Sequence, residues 1–307
     1  MKGPVLVTGA SGLIGLELVP ALRREGYEVV TASRRGAGVD HHGDLAAPGE
    51  ADVVVAATRP AALVHLAGGP AAEPDALWRN NVLATHHVLA AASRLRELPT
   101  CIIVGSAAEY GGGALERLSE ERPARPVTDY GRAKAAQVLL ARRLAAARDL
   151  PLTVLRPFNV VSRRLPETTA LGNMRRQLLA GSGTRRRVEC GRLDVVRDYV
   201  PAGAVVEAIR RVLERPQPGA TINVCSGIGL ELGRILDALA RRLGVTAVPV
   251  VSPELEAMAA ADRVVGDPTR LRALLGLVVE VSAESLAAEL LAEPPTPAAG
   301  GSDLAGR

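Results

Sequence analysis

Tyr130 and Lys134 have side chains suited to proton transfer and a spacing that brings them together. Four residues apart in a helical pattern, they fall on one face of the helix, with the ammonium beside the phenol. A free tyrosine has a pKa of about 10 and is a poor proton donor or acceptor at neutral pH, but an adjacent cation favours the phenolate. We therefore expect Lys134 to bring the pKa of Tyr130 into the working range; a surface pair with the same spacing is the alternative.

Ser106 lies just beyond the apolar run Thr100–Val104, which we expect to form a strand. Open α/β sheets bind their ligands at the carboxyl ends of the strands. A hydroxyl at that edge can bind the oxygen of a reacting carbonyl group together with Tyr130. By itself Ser106 would be an ordinary turn residue, but with Tyr130 and Lys134 it predicts a catalytic group of three.

A glycine-rich segment joins the first predicted strand to the first predicted helix. It reads Thr-Gly-Ala-Ser-Gly-Leu-Ile-Gly over residues 8–15. Its glycines allow a tight turn, a close phosphate approach and helix packing, and the backbone amides at the helix N-terminus can bind a pyrophosphate. An ordinary turn is the alternative, but the position at the start of a βαβ unit favours a dinucleotide. The residues expected to contact it are Gly9, Ser11, Gly12, Leu13, Ile14 and Gly15.

The residues that follow the second predicted strand bear on which dinucleotide is bound. An acidic residue about 20 positions beyond the glycines would hold the ribose of NAD, whereas arginine suits the 2′-phosphate of NADP. Here the sequence reads Ser33-Arg34-Arg35. Two guanidinium groups can neutralise a phosphate and form paired hydrogen bonds with it. We predict NADP(H), with NAD(H) as the alternative if both arginines are only exposed loop charges. Asp44 and Leu45 follow where an aspartate can reach the adenine amino group.

Strand and helix patterns alternate through the first half of the chain. Strands are predicted at 4–8, 28–32, 61–67, 100–104 and 152–156, and helices at 13–25, 76–98 and 130–148. Such alternation is typical of a parallel sheet covered by helices on both faces. We predict an α/β fold with a Rossmann-type doubly wound parallel sheet and a smaller C-terminal α/β substrate-binding lobe.

From residue 157 onward the pattern becomes irregular. Helices are predicted at 202–213, 230–243, 268–275 and 283–291, with strands at 221–224 and 245–251. We assign residues 1–156 to an NADP-binding domain, to which 198–224 returns. Residues 157–197 and 225–292 form the substrate-binding lobe, and the Pro, Gly and Ala-rich residues 293–307 are expected to be a disordered tail.

Composition excludes several classes of protein. With 307 residues, 48% of them hydrophobic, the chain can bury a full core. The net charge of +4 comes mostly from arginines in helical patterns, and aromatic residues, at 2%, do not interleave them, which argues against nucleic-acid binding. Three widely separated cysteines predict neither a disulfide framework nor a metal site. Since no run reaches the roughly 18 apolar residues of a membrane span, we expect a cytoplasmic protein.

Several further segments complete a set of motifs over residues 5–290. They are Val64-His65-Leu66-Ala67, Asn81-Val82, Gly105-Ser106-Ala107-Ala108-Glu109-Tyr110-Gly111, Tyr130-Gly131-Arg132-Ala133-Lys134, Arg156-Pro157-Phe158-Asn159, Arg197-Asp198-Tyr199 and Asn223-Val224-Cys225-Ser226-Gly227. With the glycine-rich segment, they make the chain resemble the extended short-chain dehydrogenases that act on nucleotide sugars. Within that family it is most similar to the GDP-4-keto-6-deoxymannose reductases.

The resemblance implies roles for particular residues. Ser106, Tyr130 and Lys134 would be catalytic, and Leu66, Ala67, Tyr130 and Lys134 would contact the cofactor. Glu109, Asn159 and Arg197 would contact the nucleotide sugar, Arg197 through its diphosphate. Apart from the resemblance, we expect Arg175 or Arg176 to meet the substrate phosphates, because an arginine binds oxygens in pairs. The resemblance also implies a homodimer formed through the helix that bears Tyr130 and the long helix near Asn81.

Residues inside these motifs discriminate among the family's reactions. Dehydratases carry an Asp-Glu pair directly after the catalytic Ser or Thr, because elimination of water needs an added acid and base. Those positions are Ala107 and Ala108 here. We therefore expect reduction of a 4-keto-6-deoxy nucleotide sugar by NADPH. The alternatives are an epimerase that recycles tightly held NAD and a dinucleotide-sensing regulator without catalysis. Departures from the family pattern, such as Gly203 and residues 160–163, lie on the nucleotide-sugar side.

Overall fold

Short runs rich in Val, Ile and Leu form the strands of a large central sheet. The computed structural model of the chain describes residues 3–71, 73–112, 116–257 and 261–293. In chain order its strands are β1 (Val5–Thr8), β2 (Val29–Ser33), β3 (His41–His42), β4 (Ala62–His65), β5 (Thr100–Val104), β6 (Leu152–Pro157), β7 (Asn159–Val161), β8 (Arg185–Cys190), β9 (Val196–Pro201), β10 (Thr221–Val224), β11 (Gly229–Glu231), β12 (Thr246–Val251) and β13 (Arg263–Val264).

Helices connect most of these strands. They are α1 (Gly15–Arg24), α2 (Glu50–Thr58), α3 (Pro74–Trp78), α4 (Ala84–Ala92), α5 (Asp129–Arg148), α6 (Ala170–Ala180), α7 (Ala202–Glu214), α8 (Leu232–Arg242), α9 (Pro253–Ala257), α10 (Thr269–Leu275) and α11 (Ala283–Leu291). A π-turn, Arg79–Leu83, joins α3 to α4, and a 3₁₀ turn, Ala107–Tyr110, follows β5.

The large sheet has the strand order β10-β6-β5-β4-β1-β2-β3, with every neighbouring pair parallel. The direction of winding reverses between β1 and β4. At such a switch point the loops after two adjacent strands diverge and leave a crevice at the carboxyl edge. The predicted fold class, a Rossmann-type doubly wound sheet, is confirmed.

Apolar side chains cover the large sheet on both faces. On one face, Leu18 of α1 and Ile209 of α7 pack against the strands. On the other face, Val54 of α2, Leu89 of α4 and Ala141 of α5 do the same. Because both faces are buried, the strands read as continuous apolar runs rather than as alternating patterns.

The smaller lobe is built on short strands. β7, β9, β11 and β13 form one sheet, and β8 pairs with β12 in a second. Helices α6, α8 and α11 enclose the lobe's core, which contains Met174, Ile235 and Leu286. Leu13 of the glycine-rich loop also packs against this core, so the loop touches both parts of the molecule.

The boundaries between the two parts differ from those we predicted. Residues 198–201 belong to β9 of the smaller sheet, so the return to the large sheet begins with α7 and ends with β10. Residues 271–279, predicted in the lobe, contribute Leu271 and Leu275 to the core of the large sheet. The reason is that β10 is the edge strand of the large sheet, and α10 packs against it and covers its apolar face.

The side chain of Asp198 links β9 to the two neighbouring loops through hydrogen bonds. The fully buried carboxylate accepts hydrogen bonds from the backbone N–H of Ser226 (2.9 Å), from the Ser226 hydroxyl (2.7 Å) and from the N–H groups of Gly227 (2.9 Å) and Gly266 (3.2 Å). A buried carboxylate needs such donors to offset its lost hydration. The loop after β10 and the residues after β13 are therefore held together at one point.

The predicted helix 76–98 is interrupted and shorter. The π-turn interrupts it at Arg79–Leu83, and α4 ends at Ala92, before the predicted end at residue 98. Asn81, in this turn, donates to the carbonyl oxygens of Leu77 and Gly69 and accepts from the Gly69 N–H at 3.0 Å. π-turns often occur at functional sites because they redirect side chains. This one fixes the loop that follows β4.

Helix α2 was not predicted. Its residues 53–55 are three consecutive valines, which have a low intrinsic helix propensity. In the structure Val54 and Val55 pack in the same core as Leu89 of α4. Tertiary packing therefore decides the conformation of this segment.

Two further predictions concern the tail and the membrane. Residues 294–307 of the predicted disordered tail lie outside the described residues. Of the helices that the structure does describe, none combines the length and apolarity needed to cross a membrane.

Candidate active site

The glycine-rich loop lies directly against the loop after β4. Gly9 has φ +70°, and a Cβ on it would lie 2.6 Å from the backbone nitrogen of Ala67. A Cβ on Gly15 would lie 2.5 Å from the carbonyl oxygen of Ala10. Both positions therefore require glycine for space, and Gly9 also for its backbone conformation. The result is a closely packed floor at the switch point of the sheet.

Beside this floor is a cavity of about 190 Å³. Its lining includes the predicted cofactor residues Gly9, Ser11, Gly12, Arg34, Arg35, Asp44, Leu45, Leu66 and Ala67. Leu13, Ile14 and Gly15 lie outside this lining, at the N-terminus of α1. The structure therefore brings together side chains that the sequence separates by more than fifty residues.

Sequence reasoning missed other residues of the cavity. Ser33, Gly43, Gly68 and Asn80 also line it. Asn80 accepts a hydrogen bond of 2.7 Å from the Arg34 guanidinium, and the hydroxyls of Ser11 and Ser33 are 2.5 Å apart. No pattern in the sequence indicates the Arg34–Asn80 contact, because it spans 46 positions.

Asp44 is held in place at the cavity wall. One carboxylate oxygen accepts from the backbone N–H of Ala46 at 3.1 Å, and the other pairs with Arg79 at 3.0 Å. The predicted contact of Asp44 with an adenine amino group stays a prediction.

Ser106 begins the 3₁₀ turn and is oriented by it. Its hydroxyl oxygen accepts from the Ala108 N–H at 3.2 Å, while its own N–H donates to Glu109 Oε1 at 2.8 Å, which together form a capping box. Since the oxygen accepts from the turn, the hydroxyl hydrogen points away from the turn, toward Tyr130 at the carboxyl edge.

Tyr130 lies in the first turn of α5, after the Thr128 cap. Burial raises the pKa of Tyr130 to about 12; hydrogen bonding with Ser106 lowers it, and the charge of Glu109 raises it. Our expectation that the pKa of Tyr130 is brought into the working range is therefore wrong for this structure. Desolvation of the phenolate dominates, so Tyr130 is protonated at neutral pH.

Lys134 is buried, with only 4% of its surface exposed. Its Nζ donates to the carbonyl oxygen of Val104 at 3.0 Å and to Oε1 of Gln137 at 2.9 Å. Burial lowers the pKa of Lys134 to about 8, and the charge of Glu109 opposes this shift. The ammonium is thus anchored at the end of β5, beside the turn that bears Ser106.

Glu109 is not placed as we predicted for a substrate contact. It is 1% exposed, with Oε1 bound to the Ser106 N–H and Oε2 paired with Arg156 at 2.7 Å. Arg156 also lies over the Tyr110 ring, 4.5 Å from its centre. Both carboxylate oxygens therefore bind groups of the protein itself, and Glu109 positions Ser106 instead of facing a ligand.

The other predicted substrate residues lie on the lobe side. Arg175 donates to the backbone carbonyl oxygens of Arg163, Leu165 and Leu290, and its predicted contact with a substrate phosphate stays a prediction. Asn159 is exposed and donates to the carbonyl oxygen of Asp198.

Arg197 is half-buried and donates to the carbonyl oxygens of Val196, Ala261 and Asp262. Desolvation lowers its pKa. Its predicted contact with a diphosphate stays a prediction.

Comparison with known proteins agrees with this geometry. The model of the NAD dependent epimerase/dehydratase family matches residues 5–225. A GDP-6-deoxy-D-talose 4-dehydrogenase of Aggregatibacter actinomycetemcomitans is 28% identical over 278 residues, 89% of this chain and 91% of that protein. A GDP-6-deoxy-D-mannose reductase of Pseudomonas aeruginosa is 28% identical over 232 residues, 73% of this chain and 76% of that protein.

Solved structures give the same result. RMD from Pseudomonas aeruginosa, complexed with NADPH, superposes with a TM-score of 0.83 at 25% identity, over 95% of this chain and 97% of that one. Some matched proteins are UDP-glucose 4-epimerases. The resemblance that we stated from the motifs is confirmed.

The close contact at Gly9 generates a first prediction. Gly9→Ala should lower the free energy of unfolding by about 3 kcal/mol or more, because backbone strain and overpacking against Ala67 add together. Binding of NADPH, followed by its fluorescence, should be lost as well. The matched control is Gly26→Ala, which has φ +84° but open space around the new Cβ, so only strain of about 1–2 kcal/mol is expected. Equal losses in urea denaturation of the two variants would contradict the argument.

Proposed function

The chain belongs to the NAD dependent epimerase/dehydratase family, and from this we propose that it reduces the 4-keto group of a 6-deoxy nucleotide sugar with NADPH. The family comprises NAD(P)-dependent enzymes that modify nucleotide sugars. The observation that carries the finer proposal is the placement of Ser106 and Tyr130 at the carboxyl edge of the sheet, with Ala107 and Ala108 where a dehydratase has its acid and base.

The cavity suits a dinucleotide. A pyrophosphate would lie at the N-terminus of α1, where Gly9 and Gly12 of the glycine-rich loop line the cavity. Arg34 and Arg35 would hold a 2′-phosphate, and Asp44 with Leu45 would face the adenine. Leu66, Ala67, Tyr130 and Lys134 would lie along the ribose and nicotinamide. Because two arginines and no carboxylate follow β2 directly, we favour NADP(H) over NAD(H).

The protein residues supply the proton and its stabilisation. When bound, the reduced nicotinamide supplies a hydride for the ketone carbon. Ser106 donates a hydrogen bond to the ketone oxygen and orients it. Tyr130 gives its proton to that oxygen, and the ammonium of Lys134 stabilises the phenolate that remains. A tyrosine that is protonated at neutral pH fits the direction of reduction.

Two observations favour reduction over the other reactions of the family. Ala107 and Ala108 occupy the positions of a dehydratase's acid and base and cannot transfer protons. Two relatives are named for oxidation or reduction of GDP-linked 6-deoxy sugars, which supports the same substrate class here. On the substrate side we propose Asn159 and Arg197 as contacts with the sugar and the diphosphate.

The direct test measures NADPH oxidation when GDP-4-keto-6-deoxymannose or its dTDP counterpart is added. We expect tighter binding of NADPH than of NADH, and turnover that falls about a thousandfold in Tyr130→Phe, because the proton donor is lost. NADPH affinity in that variant should change far less than turnover, because the variant removes one hydroxyl and keeps the ring. Purified protein that retains NAD and consumes no NADPH would indicate the epimerase, and cofactor binding without turnover of any nucleotide sugar would indicate the regulator.

The pKa of Lys134 predicts the pH dependence. A lysine with a pKa lowered to about 8 loses its charge as pH rises through that value, whereas Tyr130 stays protonated until about 12. The kcat/KM for reduction should therefore be constant below about pH 7 and fall above about pH 8. A profile flat to about pH 10 would show that the ammonium is not needed.

We also propose a homodimer formed through α5 and the α3–α4 region. Leu139 of α5 and Trp78 of α3 are exposed by 60% and 56%, and the two helices are neighbours. Sedimentation should give twice the 32.0 kDa chain mass. Leu139→Arg should yield a folded monomer with an unchanged circular dichroism spectrum, because the exposed Leu139 side chain is not part of the core. Val53→Arg, which is 65% exposed on α2, is the control that should stay dimeric.

A further inference from the structure

The ammonium of Lys134 is held by neutral groups. The described residues give it two acceptors, the backbone carbonyl of Val104 and the side-chain carbonyl of Gln137. A lysine ammonium has three N–H donors in tetrahedral geometry. Two fixed acceptors therefore fix the direction of the third N–H, which is left for a ligand of the site.

Gln137 is itself held in one orientation. Its Oε1 must accept from Lys134, so its Nε2 is the atom that faces Thr85, to whose hydroxyl it donates at 2.9 Å. Thr85 uses its own hydrogen on the carbonyl oxygen of Asn81 at 2.6 Å. A flipped amide would place an N–H against the ammonium, and the buried pair would repel each other.

The hydrogen bonds of Thr85 also determine which nitrogen of His65 carries a hydrogen. Its Nε2 lies 2.9 Å from the Thr85 hydroxyl oxygen, whose only hydrogen is already donated, so Nε2 must carry a hydrogen. Burial, together with the charge of Lys134, lowers the pKa of His65 to about 3, so the ring is neutral and its Nδ1 accepts from Thr8 at 2.7 Å. Every hydrogen in the chain from Thr8 to Lys134 thus has one position.

This chain of hydrogen bonds is buried throughout and connects five elements of the fold. Thr8 ends β1, His65 ends β4, Thr85 is on α4, Gln137 is on α5, and the Val104 carbonyl ends β5. Thr8, His65, Thr85 and Gln137 each have 0% exposure. Because no water competes for these groups, the positions of the partners are set by the packing of the elements.

We propose that Gln137 is a positioning residue: oriented by Thr85 and His65, it fixes the Lys134 ammonium so that one N–H remains for the cofactor ribose and the Tyr130 oxygen. This inference rests on the proposed function, because that function gives Lys134 its role. The protonation of Lys134 can nevertheless be measured without any turnover, which separates the two.

A neutral partner also matters for the charge of Lys134. The titratable groups that interact with its charge are Glu109 on the 3₁₀ turn and His65 on β4, and Tyr130 lies one turn before it on α5. Glu109 is already paired with Arg156. A carboxylate at position 137 would favour the ammonium directly, whereas an amide supplies the hydrogen bond and leaves the lysine able to titrate.

The composition of the chain makes the test direct. Lys2 and Lys134 are the only lysines in a sequence with 37 Lys and Arg residues. Protein labelled with ¹³C-lysine should therefore give two Cε signals, assigned with Lys134→Arg. Titration of the full chain without substrate reports the protonation of Lys134, while Lys2 serves as an internal reference.

Two variants at position 137 should move the titration in opposite directions. In Gln137→Met the midpoint of Lys134 should fall by about one pH unit, because an acceptor of the charged form is lost. In Gln137→Glu it should rise by about one pH unit or more. Gln217→Met is the control; within the described part of the chain its side chain hydrogen-bonds to the Arg215 carbonyl alone, so this variant should leave the midpoint unchanged.

Kinetics supply the second readout. In Gln137→Met the kcat for NADPH-dependent reduction should fall about tenfold to a hundredfold, with a smaller change in KM. In Gln137→Glu the alkaline limb of the pH profile should move upward with the Lys134 midpoint. Loss of activity with an unmoved midpoint, or an unmoved midpoint with full activity, would overturn the proposal.

A second pair of variants covers the case in which Gln137→Met does not fold. Thr85→Ser keeps the hydroxyl and should retain the Lys134 midpoint and kcat, whereas Thr85→Val should reproduce the effects of Gln137→Met. Equal behaviour of the two Thr85 variants would overturn the role of Thr85. If the wild-type protein reduces no keto sugar but the midpoints move as stated, the proposed function fails while the positioning by Gln137 stands.

Discussion

A buried positive charge at the carboxyl edge of the sheet constrains much of the structure around it. The ammonium of Lys134 is removed from water, and desolvation of a charge costs free energy unless hydrogen bonds offset it. The offset comes from Val104 at the end of β5 and from Gln137 one turn along α5. Helix α5 must therefore lie at one height and rotation against β5. That placement sets Tyr130 beside Ser106.

The second constraint is the contact between the loops after β1 and β4. Gly9 packs against Ala67 so closely that no side chain fits, and Thr8 and His65 hydrogen-bond just below it. The dinucleotide floor and the network beneath Lys134 thus share the same two strands. A displacement of either loop would therefore change both the dinucleotide floor and the hydrogen-bond network beneath Lys134. Cofactor binding is thus linked to the position of the lysine.

A third group of charges holds Ser106 from the opposite side. Glu109 and Arg156 form a buried pair, and breaking such a pair by removing one partner is strongly destabilising. The other carboxylate oxygen of Glu109 accepts a hydrogen bond from the Ser106 backbone N–H. Glu109 and Arg156 therefore neutralise each other and hold the turn that bears Ser106 in position. Lys134, by contrast, is hydrogen-bonded to neutral groups.

Local patterns in the sequence determined the sheet, most helices and the candidate site residues. Strand and helix periodicities depend on neighbouring residues, and the glycine spacing or the four-residue step from Tyr130 to Lys134 has meaning within one turn. Only the tertiary structure decided what α2 becomes, what Glu109 and Arg175 bind, and why the pKa of Tyr130 is raised. These depend on burial and on partners such as Arg156 or Leu290, distant along the chain, which no local spacing encodes.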